Sequence, residues 1–340
     1  MTEGQKKNIL VTGGGGFLGK AIVKQLIEKG ETVVSFSRGF YPGLQSLGVK
    51  QIQGDLGDRD TVMNAVKGMD LVFHVAAKAG VWGGYNEYFI PNVIGTRNIV
   101  EACRTHQVSR LVYTSSPSVV FSGQDMEGVD ESAPYPDKSH NNYTKTKTIA
   151  EKEITQAAKQ GLKVITLRPH LIWGPEDPHL VKRIIERAHK LVKVGSKNNF
   201  VDTIYIDNAA EAHVLAAESL LEKPELSGKI YFISNSEPIP LWDIINGILN
   251  AAGLEPITKT VPHRVVWLVG AILEFVYKTF MLKGEPVMTR FVADELATAH
   301  WFDISAANRD LGYIPRVSIQ EGLSRLEKWL KEQERGDYIG

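Results

Sequence analysis

Three side chains in the middle of the chain have the types and spacing for acid–base chemistry at an oxygen atom. Tyr143 and Lys147 stand four residues apart, so they share one face of a helix, and Ser116 ends an apolar run before them. A neighbouring ammonium lowers the pKa of a phenol and prepares it for proton exchange. The pattern predicts catalysis at an alcohol or ketone, in which Tyr143 moves the proton and Ser116 binds the oxygen.

A glycine-rich turn near the amino terminus has the pattern of a dinucleotide site. Gly13, Gly16 and Gly19 form Gly-x-x-Gly-x-x-Gly between a strand-like and a helix-like run. These glycines permit a tight turn, close approach of backbone to phosphate, and close packing of helix on strand. The amino end of the helix favours the pyrophosphate anion. We expect the cofactor to contact this turn through Gly13, Gly16, Phe17, Leu18 and Gly19.

The end of the second predicted strand indicates which dinucleotide binds. An acidic residue there would bind the ribose hydroxyls and repel a 2′-phosphate, but this chain has Ser37 and Arg38. Arg38 can pair with that phosphate and stack on adenine, while Ser37 adds a hydroxyl donor. The sequence therefore favours NADP(H) over NAD(H). The alternative is that Arg38 is a solvated loop residue.

Further cofactor contacts are expected where later strands end. Asp55 and Leu56 follow the third strand, and Asp55 either accepts a hydrogen bond from the adenine amino group or caps the next helix. Ala76, Ala77 and Lys78 follow the fourth strand, where small residues admit the cofactor.

Four other residues near the strand ends complete the predicted site. Pro169 is expected to shape the seat of the nicotinamide ring, and His170 is expected to face that ring or the substrate. Ser115 competes with Ser116 for the serine role. Asn92 either holds a water that relays protons to Lys147 or is a structural residue that distorts its helix. Tyr143 and Lys147 are also expected to contact the cofactor, with Lys147 on the nicotinamide ribose.

Apolar runs alternate with helix-like segments through the first half of the chain. Strands separated by helices need crossover connections, so the pattern predicts an α/β Rossmann-type doubly wound parallel sheet. We assign residues 1–170 to an NADP-binding domain, with 205–207 and 229–233 returning to its sheet. Residues 171–202 and 236–315 are assigned to a smaller helix-rich substrate lobe, and 316–340 to a C-terminal helix whose last residues, 332–340, fray.

The composition excludes several classes of function. Lys and Arg number 39 and so do Asp and Glu, which leaves no basic excess to bind nucleic acid. The single cysteine, Cys103, excludes an internal disulfide and fits a reducing compartment. The histidines lack metal-ligand spacing, so we predict no metal. Residues 1–8 lack an apolar signal-peptide region, and we expect a cytoplasmic protein.

The apolar segment 265–280 has more than one interpretation. It is shorter than the ~20 residues that a membrane-spanning helix needs, and Glu274 interrupts it. It is either a core or substrate-pocket helix, a surface helix in peripheral contact with a membrane, or an entrance for a hydrophobic substrate.

Taken together, these motifs resemble those of the extended short-chain dehydrogenase/reductases over nearly the whole chain. The segments that carry the resemblance are 12–19, 54–56, 74–77, 92–96, 115–116, 143–147, 168–169, 207–208, 303–305 and 311–315. The resemblance implies a Ser-Tyr-Lys active site, usually with an Asn, on a Rossmann fold, and a homodimer built on the helices at 92–105 and 143–160.

Within that superfamily the chain is similar to the 3β-hydroxysteroid dehydrogenase-like branch. Segment 73–83 looks most like that of the bacterial 2-alkyl-3-oxoalkanoate reductases, which reduce a β-keto acid with NADPH. The sterol 4α-carboxylate dehydrogenases are also similar but typically carry an acid where this chain has Ser37. The resemblance implies interconversion of a 3-oxo and a 3-hydroxy group on a hydrophobic substrate. The alternatives are a nucleotide-sugar epimerase or dehydratase and a non-catalytic NADP-binding protein.

Overall fold

The computed structural model describes residues 6–337. Its strands, numbered along the chain, are β1 (Asn8–Thr12), β2 (Thr32–Ser37), β3 (Lys50–Gln53), β4 (Leu71–His74), β5 (Arg110–Thr114), β6 (Met126–Val129), β7 (Val164–Pro169), β8 (Ile172–Trp173), β9 (Lys193–Val194), β10 (Phe200–Val201), β11 (Ile204–Tyr205), β12 (Ile230–Ile233), β13 (Ile239–Pro240), β14 (Thr260–Val261) and β15 (His300–Phe302).

The α-helices are α1 (Phe17–Glu28), α2 (Pro42–Ser46), α3 (Arg59–Val66), α4 (Tyr85–Phe89), α5 (Gly95–Thr105), α6 (Asn142–Lys159), α7 (Leu180–Arg187), α8 (Ile206–Glu222), α9 (Leu241–Ala251), α10 (His263–Thr279), α11 (Arg290–Ala297), α12 (Ser305–Leu311) and α13 (Ile319–Asp337). A π-helical segment, Ile90–Ile94, joins α4 to α5, and short 3-10 turns lie at Pro117–Val119, Ala188–Lys190 and Pro224–Leu226.

Seven parallel strands form the central sheet, in the order β12-β7-β5-β4-β1-β2-β3. The chain enters at β1, builds outward through β2 and β3, and then returns to β4 on the other side of β1. This reversal opens a crevice at the carboxyl ends of β1 and β4, which is where doubly wound sheets bind their ligands. The predicted fold class is confirmed.

Alternating side chains of the central strands supply two apolar cores, one on each face of the sheet. Along β1, Leu10 packs into one core with Ile99 of α5 and Ile154 of α6. Ile9 and Val11 point the other way, into the core that also contains residues of α1 and α8. Because both faces are covered, the strands are apolar almost throughout.

The structure corrects two expectations about secondary structure. Tyr205 was expected in the central sheet, but β11 pairs with β8 in a separate two-stranded sheet, because β12 already occupies the edge of β7. Asp207 lies in the first turn of α8 instead of a strand. Residues 332–340 were expected to fray, but residues 332–337 continue helix α13. Residues 338–340, and residues 1–5 of the amino-terminal segment 1–8, lie outside the described residues.

The segment assigned to the substrate lobe is built on helices and a small second sheet. Strands β13, β10 and β15 form that sheet together with β6, which comes from the segment assigned to the cofactor domain, while α9, α10 and α11 supply most of the remaining structure. Helix α10 is unusual because only Val266 and Gly270 on it are buried. Over residues 6–337, no helix combines the length and the apolar character needed to cross a membrane.

Candidate active site

A cavity of about 740 Å³ lies at the carboxyl ends of the central strands. It is lined by every residue that the sequence predicted to contact a cofactor, namely Gly13, Gly16, Phe17, Leu18, Gly19, Ser37, Arg38, Asp55, Leu56, Ala76, Ala77, Lys78, Tyr143, Lys147 and Pro169. Ser116 lines the same cavity, whereas Asn92 does not. The fold therefore brings the glycine turn and the Ser-Tyr-Lys residues to one space.

The glycine turn has no room for side chains where a diphosphate would lie. Gly13 has a φ of +71°, and a Cβ on Gly19 would stand 2.1 Å from the carbonyl oxygen of Gly13. Helix α1 begins after Gly16, and no side chain caps its first amides. Those amides remain available to an anion, so the turn fits the diphosphate of a dinucleotide.

The end of β2 presents a cation to the cavity. Arg38 is exposed at the cavity wall and forms no ion pair with any residue of 6–333. Ser37 accepts a hydrogen bond from the amide of Gly15 at 3.4 Å, which links this strand end to the glycine turn. An anionic group bound beside the turn would therefore meet a free guanidinium.

Asp55 faces the cavity and does not cap the next helix. Its Oδ1 accepts a hydrogen bond from the amide of Gly57 at 2.7 Å. The cap of α3 is Asp58, whose side chain accepts from the amides of Asp60 and Thr61. The helix-cap interpretation of Asp55 is therefore wrong.

A buried hydrogen-bonded chain supports the glycine turn from behind. The Thr96 hydroxyl donates to the Asn92 carbonyl at 2.7 Å, so its oxygen accepts from His74 Nε2 at 3.0 Å. His74 Nδ1 is then left to accept from the Thr12 hydroxyl at 3.0 Å. The Thr12 oxygen also accepts from the amide of Ala76 at 3.1 Å. Burial lowers the pKa of His74 to about 3, so this ring is neutral.

The side chain of Asn92 is fully used by the protein. It lies in the π-helical segment, where its Oδ1 accepts from the amide of Lys78 at 2.8 Å. Its Nδ2 donates to the carbonyl of Lys78 and to the Thr146 hydroxyl, each at 3.1 Å. These contacts tie the loop after β4 to helix α6. The predicted role of Asn92 in holding a water stays a prediction.

Lys147 binds partners that no motif indicated. Its Nζ donates to the Tyr113 hydroxyl at 2.8 Å and to the Thr114 carbonyl at 2.7 Å, instead of to Tyr143. Burial lowers the pKa of Lys147 to about 7, and the charge of Glu151 opposes that shift. Glu151 is itself buried in an ion pair with Arg168, which fixes helix α6 to strand β7.

Tyr143 carries a protonated phenol in this arrangement. Burial raises its pKa, a hydrogen bond with Ser116 lowers it, and the charge of Glu295 raises it. Lys147 was expected to lower the pKa of Tyr143. No such effect is present here, because the Lys147 ammonium binds Tyr113 and Thr114 of β5 instead. A neutral phenol at neutral pH is the form that can donate a proton. Ser115 and Ser116 both line the cavity, but the hydrogen bond that lowers the pKa of Tyr143 is with Ser116, so the geometry favours Ser116 over Ser115.

His170 does not face the cavity, contrary to expectation. Pro169 and Leu171 line the cavity on either side of it, and Leu171 has a φ of +45°. The His170 ring turns to His300, with Nε2 and Nδ1 2.7 Å apart, and packs against Phe302. His300 Nε2 donates to the Glu295 carbonyl at 3.1 Å, so His170 donates to His300.

Several lining residues were missed because they belong to no motif. Tyr41 stands beside the glycine turn, and Asp177 and His179 lie across the cavity in the segment after β8. Glu87 forms an ion pair with Lys78 at the cavity wall. Tyr113, the partner of Lys147, lies in an apolar strand and is indistinguishable there from a core residue. Only their placement in the fold identifies them.

The fold is that of an extended short-chain dehydrogenase/reductase, and the chain matches known oxidoreductases. The family model described as "3-beta hydroxysteroid dehydrogenase/isomerase family" matches residues 10–262. The chain is 50% identical over 327 residues to a 2-alkyl-3-oxoalkanoate reductase of Shewanella oneidensis, covering 93% of this chain and 84% of that protein. It is 48% identical over 323 residues to the same-named enzyme of Stenotrophomonas maltophilia, with 94% and 98% covered. The chain therefore belongs to the 3-beta hydroxysteroid dehydrogenase/isomerase family.

More distant relatives and solved structures agree with this assignment. A mouse sterol-4-alpha-carboxylate 3-dehydrogenase (decarboxylating) is 33% identical over 326 residues, covering 94% of this chain and 90% of that one. The crystal structure of gox2253 superposes with a TM-score of 0.78 at 26% identity, covering 97% and 99% of the two chains. A UDP-glucuronic acid 4-epimerase of Bacillus cereus, in complex with NAD, gives a TM-score of 0.73 at 24% identity over 96% and 99%, a likeness of fold alone.

Proposed function

We propose that this oxidoreductase is an NADPH-dependent reductase that converts the 3-oxo group of a hydrophobic β-keto acid into a 3-hydroxy group. The observation that carries the proposal is the single cavity lined by both the glycine turn and Ser116, Tyr143 and Lys147. The substrate class is taken from the two 2-alkyl-3-oxoalkanoate reductases that share about half of its residues.

Each catalytic side chain has one task in this proposal. NADPH, when bound, supplies the hydride. The hydroxyl of Ser116 holds the ketone oxygen beside the Tyr143 phenol, which donates the proton to that oxygen. The raised pKa of Tyr143 supports this direction, because the donor form predominates at neutral pH. Lys147, anchored on Tyr113 and Thr114, binds the ribose next to the reacting ring.

The preference for NADPH is supported by the charges at the end of β2. Arg38 is free to pair with a 2′-phosphate, and Ser37 stands where NAD-dependent Rossmann enzymes carry an acid. Asp55, an acid in the cavity wall, follows β3 instead of β2 and would face the adenine.

A direct assay tests the reductase proposal. Purified protein is mixed with NADPH, or separately NADH, and loss of absorbance is followed with 2-alkyl-3-keto acids and a 3-ketosteroid. UDP-hexoses are incubated with the protein and NAD⁺ or NADP⁺, and their products are identified by chromatography, because an epimerase or dehydratase consumes no net dinucleotide. We expect NADPH oxidation with the β-keto acid and a fall of roughly 10²–10⁴-fold in Tyr143→Phe, the contribution of a general acid. Tyr85→Phe, at a phenol outside the cavity lining, is the matched control and should keep the wild-type rate. Turnover of UDP-hexoses alone, or equal rates in Tyr143→Phe, would contradict the proposal.

We further propose that helix α10 rests on a membrane surface beside the entrance to this site. Its exposed large apolar side chains are Val265, Trp267, Leu268, Val269, Ile272 and Phe275. Exposed Arg264, Lys278 and Lys283 flank them, and Glu274, the one acid in segment 263–284, is paired with Arg290. An apolar surface with a cationic rim suits an anionic lipid surface.

A further inference from the structure

The glycine run contains two glycines that the dinucleotide pattern does not require. Gly13, Gly16 and Gly19 satisfy the pattern, yet Gly14 and Gly15 are also glycines. At Gly14 a Cβ would stand 2.6 Å from the Ser35 hydroxyl oxygen. At Gly15 a Cβ would stand 2.1 and 2.2 Å from Cδ2 and Cε2 of the Tyr41 ring. The φ of Gly15 is not in the left-handed region, so the ring alone demands glycine there.

Tyr41 is held in this place from its backbone. Its amide donates to Gln51 Oε1 at 2.9 Å, and Gln51 Nε2 donates back to its carbonyl at 3.0 Å. Gln51 belongs to β3, so the two bonds fix Tyr41 to the central sheet. The residue is 37% exposed, and its ring forms part of the cavity wall. The backbone that carries the Tyr41 ring beside Gly15 is therefore held in place by β3.

The loop between β2 and α2 consequently has two attachments to the glycine turn. Gly15 donates to Ser37 at one end of the loop, and Gly15 meets the Tyr41 ring at the other. Arg38 lies between these attachments and has no ion pair of its own to hold it within residues 6–333. Its position beside the turn is therefore set by the loop that carries it.

We propose that Tyr41 is a positioning residue that holds the Arg38 loop against Gly15 and thereby sets the affinity for a 2′-phosphate. The inference rests on the proposed use of NADPH and extends it to a residue that does not itself pair with the phosphate. Without the ring, the loop keeps its hydrogen bonds to Gln51 and Gly15 but loses its packing against the turn, so the guanidinium no longer meets the phosphate in one fixed place. The adenine, ribose and diphosphate contacts, made by other segments, are retained.

Binding of two fragments tests this inference without turnover. Affinities for 2′,5′-ADP and 5′-ADP are measured by calorimetry for the wild type, Tyr41→Ala, Tyr41→Phe and Gly15→Ala. We expect Tyr41→Ala to bind 2′,5′-ADP roughly tenfold more weakly, the size of one charge-assisted contact, with 5′-ADP binding nearly unchanged. Tyr41→Phe keeps the ring and should bind both like the wild type. Gly15→Ala displaces the ring and should weaken 2′,5′-ADP binding by a similar factor. Because Gly15 lies in the turn that receives the diphosphate, 5′-ADP binding is compared only among the wild type and the two Tyr41 variants.

The double variant Tyr41→Ala/Gly15→Ala separates this role from two unrelated defects. Because both changes break the same contact, the second should add little to the first. Full additivity would overturn the inference, as would a wild-type preference for 2′,5′-ADP that persists in Tyr41→Ala. Unchanged 5′-ADP binding shows that the two Tyr41 variants are folded. A wild type that binds the two fragments equally would overturn the NADPH proposal, and the role of Tyr41 with it.

Discussion

The pKa of Tyr143 is influenced by a carboxyl group that no sequence motif indicated. Glu295 lies on α11, and its charge raises the pKa of the Tyr143 phenol. Burial raises the pKa of Glu295 itself to about 8. At neutral pH this carboxyl is therefore mostly protonated and leaves the space beside Tyr143 nearly uncharged, which suits a substrate that carries its own carboxylate.

The raised pKa of Glu295 makes a prediction about stability. Between its ordinary value of 4.5 and its folded value of about 8, the folded protein keeps a proton that the unfolded chain has lost. Its contribution to stability is therefore present below pH 4.5 and declines as the pH rises towards 8. We expect Glu295→Gln to be more stable than the wild type at pH 7, by about 1–2 kcal/mol, with little difference at pH 5.

Urea denaturation at pH 5 and pH 7 measures this difference. The pKa of Lys147 in the folded protein is about 7, below its ordinary value of 10.5, so the contribution of Lys147 to stability rises with pH mainly above pH 7. Between pH 5 and pH 7 this contribution changes little. Glu255→Gln, at an exposed carboxyl on the surface, is the matched control. A pH-independent difference between Glu295→Gln and the wild type would show that Glu295 ionises normally.

Residue types and spacing indicated the candidate catalytic side chains but not their partners. Tyr143, Lys147 and Ser116 were predicted from their chemistry and spacing, and the fold brings them to one cavity. The contact of Lys147 with Tyr113 was not predictable, since it depends on how far β5 lies from α6 in the folded protein. His170 turns towards His300, which lies 130 residues further along the chain, so this contact was not predictable from the local sequence either.

At the scale of elements, helix α10 is where sequence alone left the most open. Its apolar composition fitted a core helix, a pocket wall or a membrane surface, and only its exposure argues against the core. Trp82 packs edge-on against Tyr277 with ring centroids 6.2 Å apart, which places α10 against the loop that begins at Lys78 in the cavity wall. A hydrophobic substrate leaving a bilayer at α10 would therefore be close to the site.

Vesicle binding tests the membrane proposal for α10. The protein is sedimented with vesicles of phosphatidylcholine alone or with about one third phosphatidylglycerol. We expect binding to the anionic vesicles, weakened by salt, and its loss in Ile272→Ser/Phe275→Ser because both side chains are exposed and apolar. Leu221→Ser, at an exposed apolar residue on α8, is the matched control. Equal sedimentation of the double variant, or none of the wild type, would contradict the proposal.

Local periodicity predicted the first half of the fold better than the second. The alternation of strands and helices in the first half of the chain follows from crossover connections, and the parallel sheet that it builds was predicted, whereas the short elements α2, α4 and β6 were not. Beyond β7, Tyr205 was misplaced because strand membership there depends on which segment takes the edge of β7, and β12 does so. The π-helical segment around Asn92 agrees with the alternative that this residue distorts its helix, but its contacts with Lys78 and Thr146 were not predictable because they come from other parts of the chain.

At the scale of the whole molecule, the homodimer expected through α5 and α6 stays a prediction. An ion pair between Arg97 and Glu153 joins α5 to α6, and one between Arg59 and Glu101 joins α3 to α5. The assignment of separate cofactor and substrate units also stays a prediction. The catalytic account does not depend on either, because all of the proposed chemistry lies in one cavity of one chain.

The most direct test of that account follows the hydride. The protein is incubated with a 2-alkyl-3-keto acid and NADPH that carries deuterium at the transferable position, and the product is analysed by mass spectrometry. We predict a 3-hydroxy acid with one deuterium at C3 from the wild type and none from Tyr143→Phe in the same time. A 3-hydroxy acid without deuterium, or no product from any β-keto acid, would contradict the assignment of this cavity to ketone reduction.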